Sequence, residues 1–427
     1  MDTECEIRYL RRVCVLTNRP KHLNLYILGI LLVAVALRIY GVVSHPAVPV
    51  ADAADYHRLA SGLVQGHGYV NVEGTSTAWR PPGYPFFLTG IYEITGVNVT
   101  SATIVQAILG GLTVLLLMAL GVMLLDWPAA LIAGAIGAVY PVLIWLPRLL
   151  LSENLSLFLL LLTLTAIVLY LRTSRIIWIV VFGVFCAINT LVRGSNLFVP
   201  LAVACALLFI RWRTRSVNWN QFVAPLLVLA LAFVLPLIPW TVRNYSVFHE
   251  PITIATQGGL TLYSSYWPPQ KNGKLIWGSL PGNEDPAIAA AGKMGDEVLA
   301  SRYLNDLTMQ RLREDPGIFF RLIPSKMMSL LAPFDWEVFP HAPGTTRSLN
   351  VGYLLILLPA LLGFIVIVRR RLRDQWLLWL IPAMVLLQSI AFYGSPRFRL
   401  PAELIALLPA AVGVSVVWEF LKQRVRL

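Results

Sequence analysis

The sequence predicts an all-α polytopic membrane protein of about ten transmembrane helices, with a small mixed α/β region of loops on one face. Three observations predict it. Hydrophobic residues make up 57% of the 427 and charged residues only 13%, with a mean hydropathy of +0.70; so few charges cannot cover a soluble body of that size. The apolar residues gather into ten stretches, each near the ~20 residues that cross a hydrocarbon core. Lys and Arg collect at alternate ends of those stretches, as membrane topology demands.

In chain order the stretches are roughly 23–43, 102–125, 128–146, 153–171, 176–192, 196–210, 221–241, 350–368, 376–393 and 402–419. Those at 176–192 and 196–210 are short and close together. One alternating set of loops carries Arg8, Arg11, Arg12, Arg19 and Lys21, then Arg172 and Arg175, then Arg211, Arg213 and Arg215. It ends with Arg369, Arg370, Arg371 and Arg373, then Lys422, Arg424 and Arg426, seventeen in all. The short loops of the other set hold four: Arg148, Arg193, Arg397 and Arg399. The bias predicts cytoplasmic termini and places the loop Pro49–Pro85 and the long loop 242–349 together on the far side. Three regions follow: an N-terminal membrane body over 1–241 that includes the first outer loop 44–101, an outer-face loop region over 242–349, and C-terminal helices over 350–427.

The net charge of +12 and pI near 9.7 do not point to nucleic acid, because the basic residues sit at the ends of apolar segments. The first twenty residues are polar and basic, so no cleavable signal peptide is expected. Cys5 and Cys14 lie in the N-terminal tail, and Cys186 and Cys205 inside apolar stretches. That placement suits neither a disulfide framework nor a CxxC metal site.

The long loop is too polar to span. Pro251–Leu260 is a β-branched run ending in a glycine pair and predicts a short strand and turn. Residues 296–314 have helical periodicity, with Val298, Leu299, Tyr303, Leu307 and Leu312 against a charged face. Beyond Pro316, apolar residues alternate with Arg321 and Lys326, as in an amphipathic helix lying in the membrane interface over 316–333.

The chemistry gathers in the first outer loop. Asp52 and Asp55 are three apart, so a helix here puts both carboxylates on one face. One is then a candidate general base on an acceptor hydroxyl, and the other orients or tunes it. The plainer alternative is an acidic cap on a short loop helix. Twenty-five residues after Asp55, Arg80 opens R-P-P-G-Y-P. Two prolines restrict this turn and Gly83 permits it to be tight. A guanidinium held there suits phosphate oxygens and stabilises charge on a departing phosphate; the alternative is a snorkelling interfacial Arg. Tyr56, Trp79 and Tyr84 beside these charges, with Glu153, are candidates to line a substrate pocket. Arg148, Arg193, Arg243, Arg397 and Arg399 are each readable as helix-end anchors. Together they form a ring of cations on the side where few are expected, which suggests an anionic ligand; Arg397 and Arg243 are the leading partners for Arg80. No GxxxxGK[ST], GxGxxG or HExxH occurs, so ATP-driven transport and dinucleotide chemistry have no support. No cofactor is indicated. A divalent metal on His57 and Asp52 is conceivable, but nothing else in the sequence points to it.

These residues carry a resemblance. D-x-x-D-Y-x-x-L-A-x-x-L-x-x-G-x-G-Y followed by T-A-W-R-P-P-G-Y-P-F-F-L resembles glycosyltransferase family 39, which includes the protein O-mannosyltransferases and the bacterial aminoarabinose transferase of lipid A. W-T-V-R-N-Y, T-Q-G-G-L and R-F-R-L-P are similar to stretches of bacterial members. The resemblance implies a GT-C fold, a polyprenyl- or dolichyl-phosphate sugar donor, and inversion at the anomeric centre. An Asp four positions before a Tyr maps onto Asp52 and Tyr56 and implies that Asp52 is the base. Many relatives carry an acidic residue next to that Asp, where this chain has Ala53, so the division of roles between Asp52 and Asp55 stays open. The family's basic residue before the proline pair maps onto Arg80 and implies a contact with the lipid phosphate. The large C-terminal soluble domain and the extra sugar-binding-like domain of some members are not expected here.

The expectation is therefore an inverting membrane glycosyltransferase. It would move a sugar from a polyprenyl-phosphate donor to a hydroxyl of a lipid, glycan or protein acceptor, on the periplasmic face of a bacterial inner membrane. Two rivals are a transporter or flippase of a lipid-linked anion, which predicts inverted repeats that are not seen, and a non-catalytic membrane scaffold, which leaves the carboxylates and Arg80 unexplained; within the enzyme class the alternative is an oligosaccharide ligase using a lipid diphosphate.

Overall fold

The computed structural model describes residues 22–46, 48–213, 219–267, 270–271, 274–275, 284–333, 349–370 and 374–425. The basic residues ahead of the first helix, Arg215, Arg371, Arg373, Arg426, Cys5, Cys14 and His341 lie outside them.

All ten predicted apolar stretches are helical. The first is α1 (Leu23–Ser44). Helix α2 (Asp52–Val64) and α3 (Gly83–Thr95) form the first outer loop. There follow α4 (Val99–Leu124), α5 (Trp127–Val139) and α6 (Pro141–Trp145), then α7 (Ser152–Thr173), α8 (Ile177–Val192) and α9 (Phe198–Arg213). Helices α10 (Trp219–Val234) and α11 (Ile238–Phe248) join through a 3₁₀ turn. The outer-face region holds α12 (Gly258–Tyr266), α13 (Pro286–Gly292), α14 (Glu297–Glu314) and α15 (Gly317–Leu331). The chain closes with α16 (Val351–Arg370), α17 (Trp376–Ala391) and α18 (Leu400–Val425).

Six helical stretches are long and apolar enough to cross a membrane, and a seventh counts if the bent pair α5–α6 is one span. The remaining three, near 177–192, 194–209 and 376–391, are shorter apolar helices. Sixteen residues rise about 24 Å, short of a hydrocarbon core of about 30 Å. Their outer ends turn instead into the 3₁₀ segments Gly194–Leu197 and Pro396–Arg399.

Proline makes the break between α5 and α6. Pro141 has no N–H to donate and pushes the residue before it out of the helical region; Tyr140 sits at φ −66°, ψ 117°, and α5 and α6 meet at 57°. The carbonyls freed there are met by a buried cation. Arg38 of α1 donates to Gly137 and Ala138 at 3.0 and 3.2 Å and to Ala34 at 2.8 Å. Helices α16 and α18 pack by reciprocal small-residue contact. A Cβ on Gly363 would lie 1.7 Å from the Pro409 carbonyl, and one on Gly413 would lie 2.1 Å from that of Pro359. Only glycine allows backbones this close.

The outer-face region departs from expectation in one place. Residues 251–257 form no strand. Their backbone groups are taken by other elements: Trp240 Nε1 donates to Ile254, Asn244 to Ile252, and the Thr256 N–H to Ala78. The glycine pair opens α12 rather than a turn, because Gly259 is pressed against Ser301 of α14, where a Cβ would stand 2.2 Å from a carbonyl oxygen. The strands described are the two-residue pair β1 (Gln270–Lys271) and β2 (Lys274–Leu275), antiparallel. Helix α14 begins where the periodicity predicts, with the Asp296 side chain accepting from Val298 and Leu299.

Helix α15 is amphipathic: Ile318, Leu322 and Leu330 are buried, while Phe320 and Met328 are exposed. Its C-terminal half is tied to the C-terminal helices by two cations. Lys326 is fully buried, and its Nζ donates to the Ile390 carbonyl in the last turn of α17 at 3.1 Å, over the Tyr266 ring. Burial lowers its pKa to about 8. Arg399 donates to Leu330 and Ala332 at the C-terminus of α15 and pairs with Glu403, which accepts from Tyr140 at 2.6 Å. A cation at each helix C-terminus meets the free carbonyls and the negative end of the dipole. These contacts clamp the segment 392–399 between them.

Candidate active site

The first outer loop, the turns at 193–197 and 395–399, and the start of α7 meet at one cavity of about 1000 Å3. Its polar end is a chain of alternating charges. Arg58 bonds Asp55 at 3.3 Å. Arg80 bonds Asp55 at 2.9 and 3.1 Å and Asp52 at 2.7 Å. Arg397 bonds the other oxygen of Asp52 at 2.7 Å and also pairs with Glu153. Arg193 closes the row on Glu153 at 2.5 Å. Four guanidiniums thus alternate with three carboxylates drawn from five places in the chain.

Local structure explains each position. Asp52 and Asp55 stand in the first turn of α2 and Glu153 in the first turn of α7, where the free N–H groups and the positive end of the dipole favour carboxylates. Arg193 is the C-cap residue of α8, where the dipole favours a cation. The R-P-P-G turn is seated on that same helix end: a Cβ on Gly83 would lie 2.8 Å from Leu191 C and Val192 N. Gly83 is therefore required by close approach, not by a positive φ. Asn196 holds the following turn to α7, donating to Ser156 Oγ at 3.0 Å and to Asn189 Oδ1 at 3.1 Å.

The backbone that carries Arg80 is held from behind. Glu297 accepts from Thr77 Oγ1 at 2.6 Å and from the Ala78 N–H at 2.5 Å. Arg243 donates to the carbonyls of Thr77 and Tyr69 at 2.8 and 3.1 Å, among the rings of Tyr69, Trp240 and Phe248. Tyr69 donates to the Arg80 carbonyl at 2.8 Å. Gln257 accepts from Arg80 Nη1 at 3.1 Å.

Burial opposes ionisation of Asp52, but Arg80 and Arg397 outweigh it and hold the carboxyl below its usual range. Burial likewise works against the Arg80 cation, and Asp52 and Asp55 more than restore it. Burial pushes the hydroxyls of Tyr56 and Tyr393 up, leaving both neutral at pH 7.

Of the residues singled out in the sequence, Asp52, Asp55, Arg80, Arg397 and Glu153 come together. Tyr56 and Trp79 line the cavity. Tyr84 lies behind them, fully buried, with its ring edge-on to Tyr56 and its hydroxyl on Gln106 at 2.9 Å. Arg243 is not brought to the carboxylates; it braces the loop. Arg193, read as a helix-end anchor, joins the row, as do Arg58 and Gln257. Tyr393 lines the cavity next to them. The T-Q-G-G-L and S-P-R-F-R-L-P stretches marked the right turns, but neither Gln257 nor Tyr393 has a chemical signature that separates it from its neighbours. Among the described residues no group of three His, Cys, Asp or Glu is placed to hold a metal ion; His57 faces away and bonds Tyr92 at 2.8 Å.

Beyond the charges the cavity is apolar, running between Leu157 and Leu160 of α7, Val199 of α9, and Ile381, Met384 and Val385 of α17. One end can hold an anion and the other a hydrocarbon chain.

Residues 79–240 match a protein family described as dolichyl-phosphate-mannose-protein mannosyltransferase. No curated protein matches the chain. Among solved structures, the oligosaccharyltransferase AglB of Archaeoglobus fulgidus with an inhibitory peptide and a dolichol-phosphate is similar at 14% identity and a TM-score of 0.55, over 93% of this chain and 51% of that one. The apo form of the Archaeoglobus fulgidus oligosaccharyltransferase is similar at 13% identity and a TM-score of 0.56, over 94% and 52%. The chain thus spans about half the length of those archaeal enzymes. ArnT of Cupriavidus metallidurans bound to undecaprenyl phosphate is similar at 14% identity over 92% and 77%, with a TM-score of 0.44, too loose a superposition to argue from. By its fold along nearly the whole chain, and by the family match over residues 79–240, the protein is an integral membrane protein that resembles the GT-C membrane glycosyltransferases.

Proposed function

We propose that the protein is an inverting glycosyltransferase that moves a sugar from a polyprenyl-phosphate donor to a hydroxyl acceptor on the non-cytoplasmic face of the membrane. The observation that carries this reading is the cavity itself: arginines aimed at one end, walls of leucine, isoleucine and methionine at the other. A polyprenyl phosphate is an anion on a hydrocarbon tail and matches both ends. Arg80 and Arg397 bind the phosphate and stabilise the charge it gains on leaving. Asp52, the carboxylate between them, takes the acceptor proton as the acceptor oxygen attacks the anomeric carbon from the opposite side. Asp55 holds Arg80 and Arg193 holds Glu153. Glu153 lines the cavity with one buried oxygen that has no hydrogen-bond partner among the described residues, which suits a sugar or acceptor hydroxyl. Arg243 acts from behind, through the Arg80 loop. On this reading the three short helices complete ten crossings at the site, and the distribution of Lys and Arg supports termini in the cytoplasm and a site outside. The bacterial character of the motifs favours the periplasm.

The test is sugar release from a short-chain polyprenyl-phosphate sugar by purified protein. Asp52→Asn is expected to lower turnover by about 10²–10⁴-fold, the usual contribution of a general base. Arg80→Ala should lower it by about 10²–10³-fold. A chelator lane reports any dependence on a divalent ion. Near-wild-type turnover in both variants would sink the mechanism.

A further inference from the structure

The two arginines assigned to the donor phosphate are already occupied by a carboxylate. Asp52 Oδ1 is on Arg80 Nη2 and Oδ2 on Arg397 Nη1, both at 2.7 Å. We propose that the donor phosphate displaces Asp52 from Arg80 and Arg397, so that the base is released by the substrate it serves. This rests on the donor class proposed above.

The row of charges marks Asp52 as its exchangeable member. Arg80 has other holds: Asp55 takes its Nε and Nη2, and Gln257 its Nη1. Arg397 is also paired with Glu153, which Arg193 grips from the far side. Both arginines therefore keep their places when Asp52 leaves. Asp52, by contrast, has ion pairs only with these two arginines among the described residues. Its side chain is 30% exposed, against 3% for Glu153, and it lines the cavity whereas Asp55 does not. Paired through both oxygens, it is a poor proton acceptor; freed, it stands beside the acceptor with both oxygens open.

The exchange also balances charge through the reaction. Before transfer the site holds one negative charge on Asp52 and one on the phosphodiester of the donor. The acceptor oxygen bonds to the anomeric carbon, the bond from that carbon to the phosphate oxygen breaks, and its electron pair stays on the phosphate. The acceptor proton passes to Asp52. Afterwards Asp52 is neutral and the lipid phosphate carries two negative charges. The total charge of the site is the same throughout; it moves from the freed carboxylate to the phosphate held by Arg80 and Arg397. When Asp52 later gives its proton to water it competes again for the arginines, which favours release of the lipid phosphate.

The test is the affinity of a short-chain polyprenyl monophosphate for detergent-purified wild type, Asp52→Asn, Asp52→Ala and Arg397→Ala, with the uncharged polyprenol as control. Removing the competing carboxylate should tighten phosphate binding by about tenfold or more, since like charges at this range repel strongly. Arg397→Ala should weaken it, and polyprenol binding should not change. Infrared difference spectra of wild type with and without the monophosphate should show a carboxylate band shift that is missing in Asp52→Asn. Equal or weaker phosphate binding in both Asp52 variants, with binding lost in Arg397→Ala, overturns the exchange and leaves the donor class standing. Failure of wild type to bind the monophosphate overturns both.

Discussion

Asp52 shows how much a neighbour decides what a residue can do. A carboxyl buried alone would lose its charge; between Arg80 and Arg397 it keeps that charge more firmly than it would in water. The direction has consequences for pH. In the free protein Asp52 remains ionised below the ordinary carboxylate range near 3.9, so the stability its ion pairs contribute is present above the unfolded value and is lost as pH falls through the lower folded value. The acid limb of kcat/KM reports the free enzyme and should lie below the ordinary carboxylate range. That of kcat reports the complex with the arginines surrendered and should lie higher. Steady-state rates from pH 3 to 7, within the range where the protein stays folded, check this; coincident limbs would mean that Asp52 keeps its partners in the complex. Arg193 makes the same point from the other side. Its position after a helix suited an anchor, and it is one, but what it anchors is Glu153.

At the scale of elements, the site depends on close contacts between helix ends. The R-P-P-G turn lies on the last residues of α8, the helix that ends in Arg193, so Arg80 and Arg193 are placed by one contact. Gly83→Ala would drive a methyl group into backbone. Backbone cannot rotate away as a side chain can, so the expected cost is about 1–3 kcal/mol, with a matching fall in melting temperature and a loss of turnover larger than the stability change explains. A silent Gly83→Ala would show that α3 and α8 can separate without moving Arg80. The other side of the site is held by caps: Lys326 on the end of α17 and Arg399 on the end of α15 fix the segment that carries Arg397. Their sequence signal was ambiguous. A lysine on an amphipathic helix reads as a snorkelling surface group, yet Lys326 is fully buried.

For the whole molecule, the distribution of Lys and Arg makes a statement about sides that the site geometry does not. The tip of the first outer loop offers a direct check. Glu73 is exposed, in a tight turn closed by Asn71. A single cysteine introduced as Glu73→Cys should react with a membrane-impermeant thiol reagent applied from outside intact cells. Labelling only after the membrane is broken would invert the assigned orientation.

Ten apolar stretches, the start of α14 at Asp296 and the shared face of Asp52 and Asp55 were all legible in the chain. Hydrophobic length, capping chemistry and helical spacing are local properties, and the residues that express them lie within one or two turns of each other. The strand expected at 251–260 failed for the same reason in reverse: β-branched residues favour an extended backbone, but a strand needs a partner, and Trp240, Asn244 and Ala78 supplied the hydrogen bonds instead. The choice among cations was likewise not local. Arg243, Arg193 and Arg397 look alike in sequence, each at the end of an apolar helix. Only the packing of α8 against the first outer loop, and of α15 against α17 and the turn 396–399, decided that Arg193 and Arg397 face carboxylates while Arg243 faces carbonyls. An ion pair between residues 52 and 397 is set by distance in space, and nothing in the spacing of the chain encodes that distance.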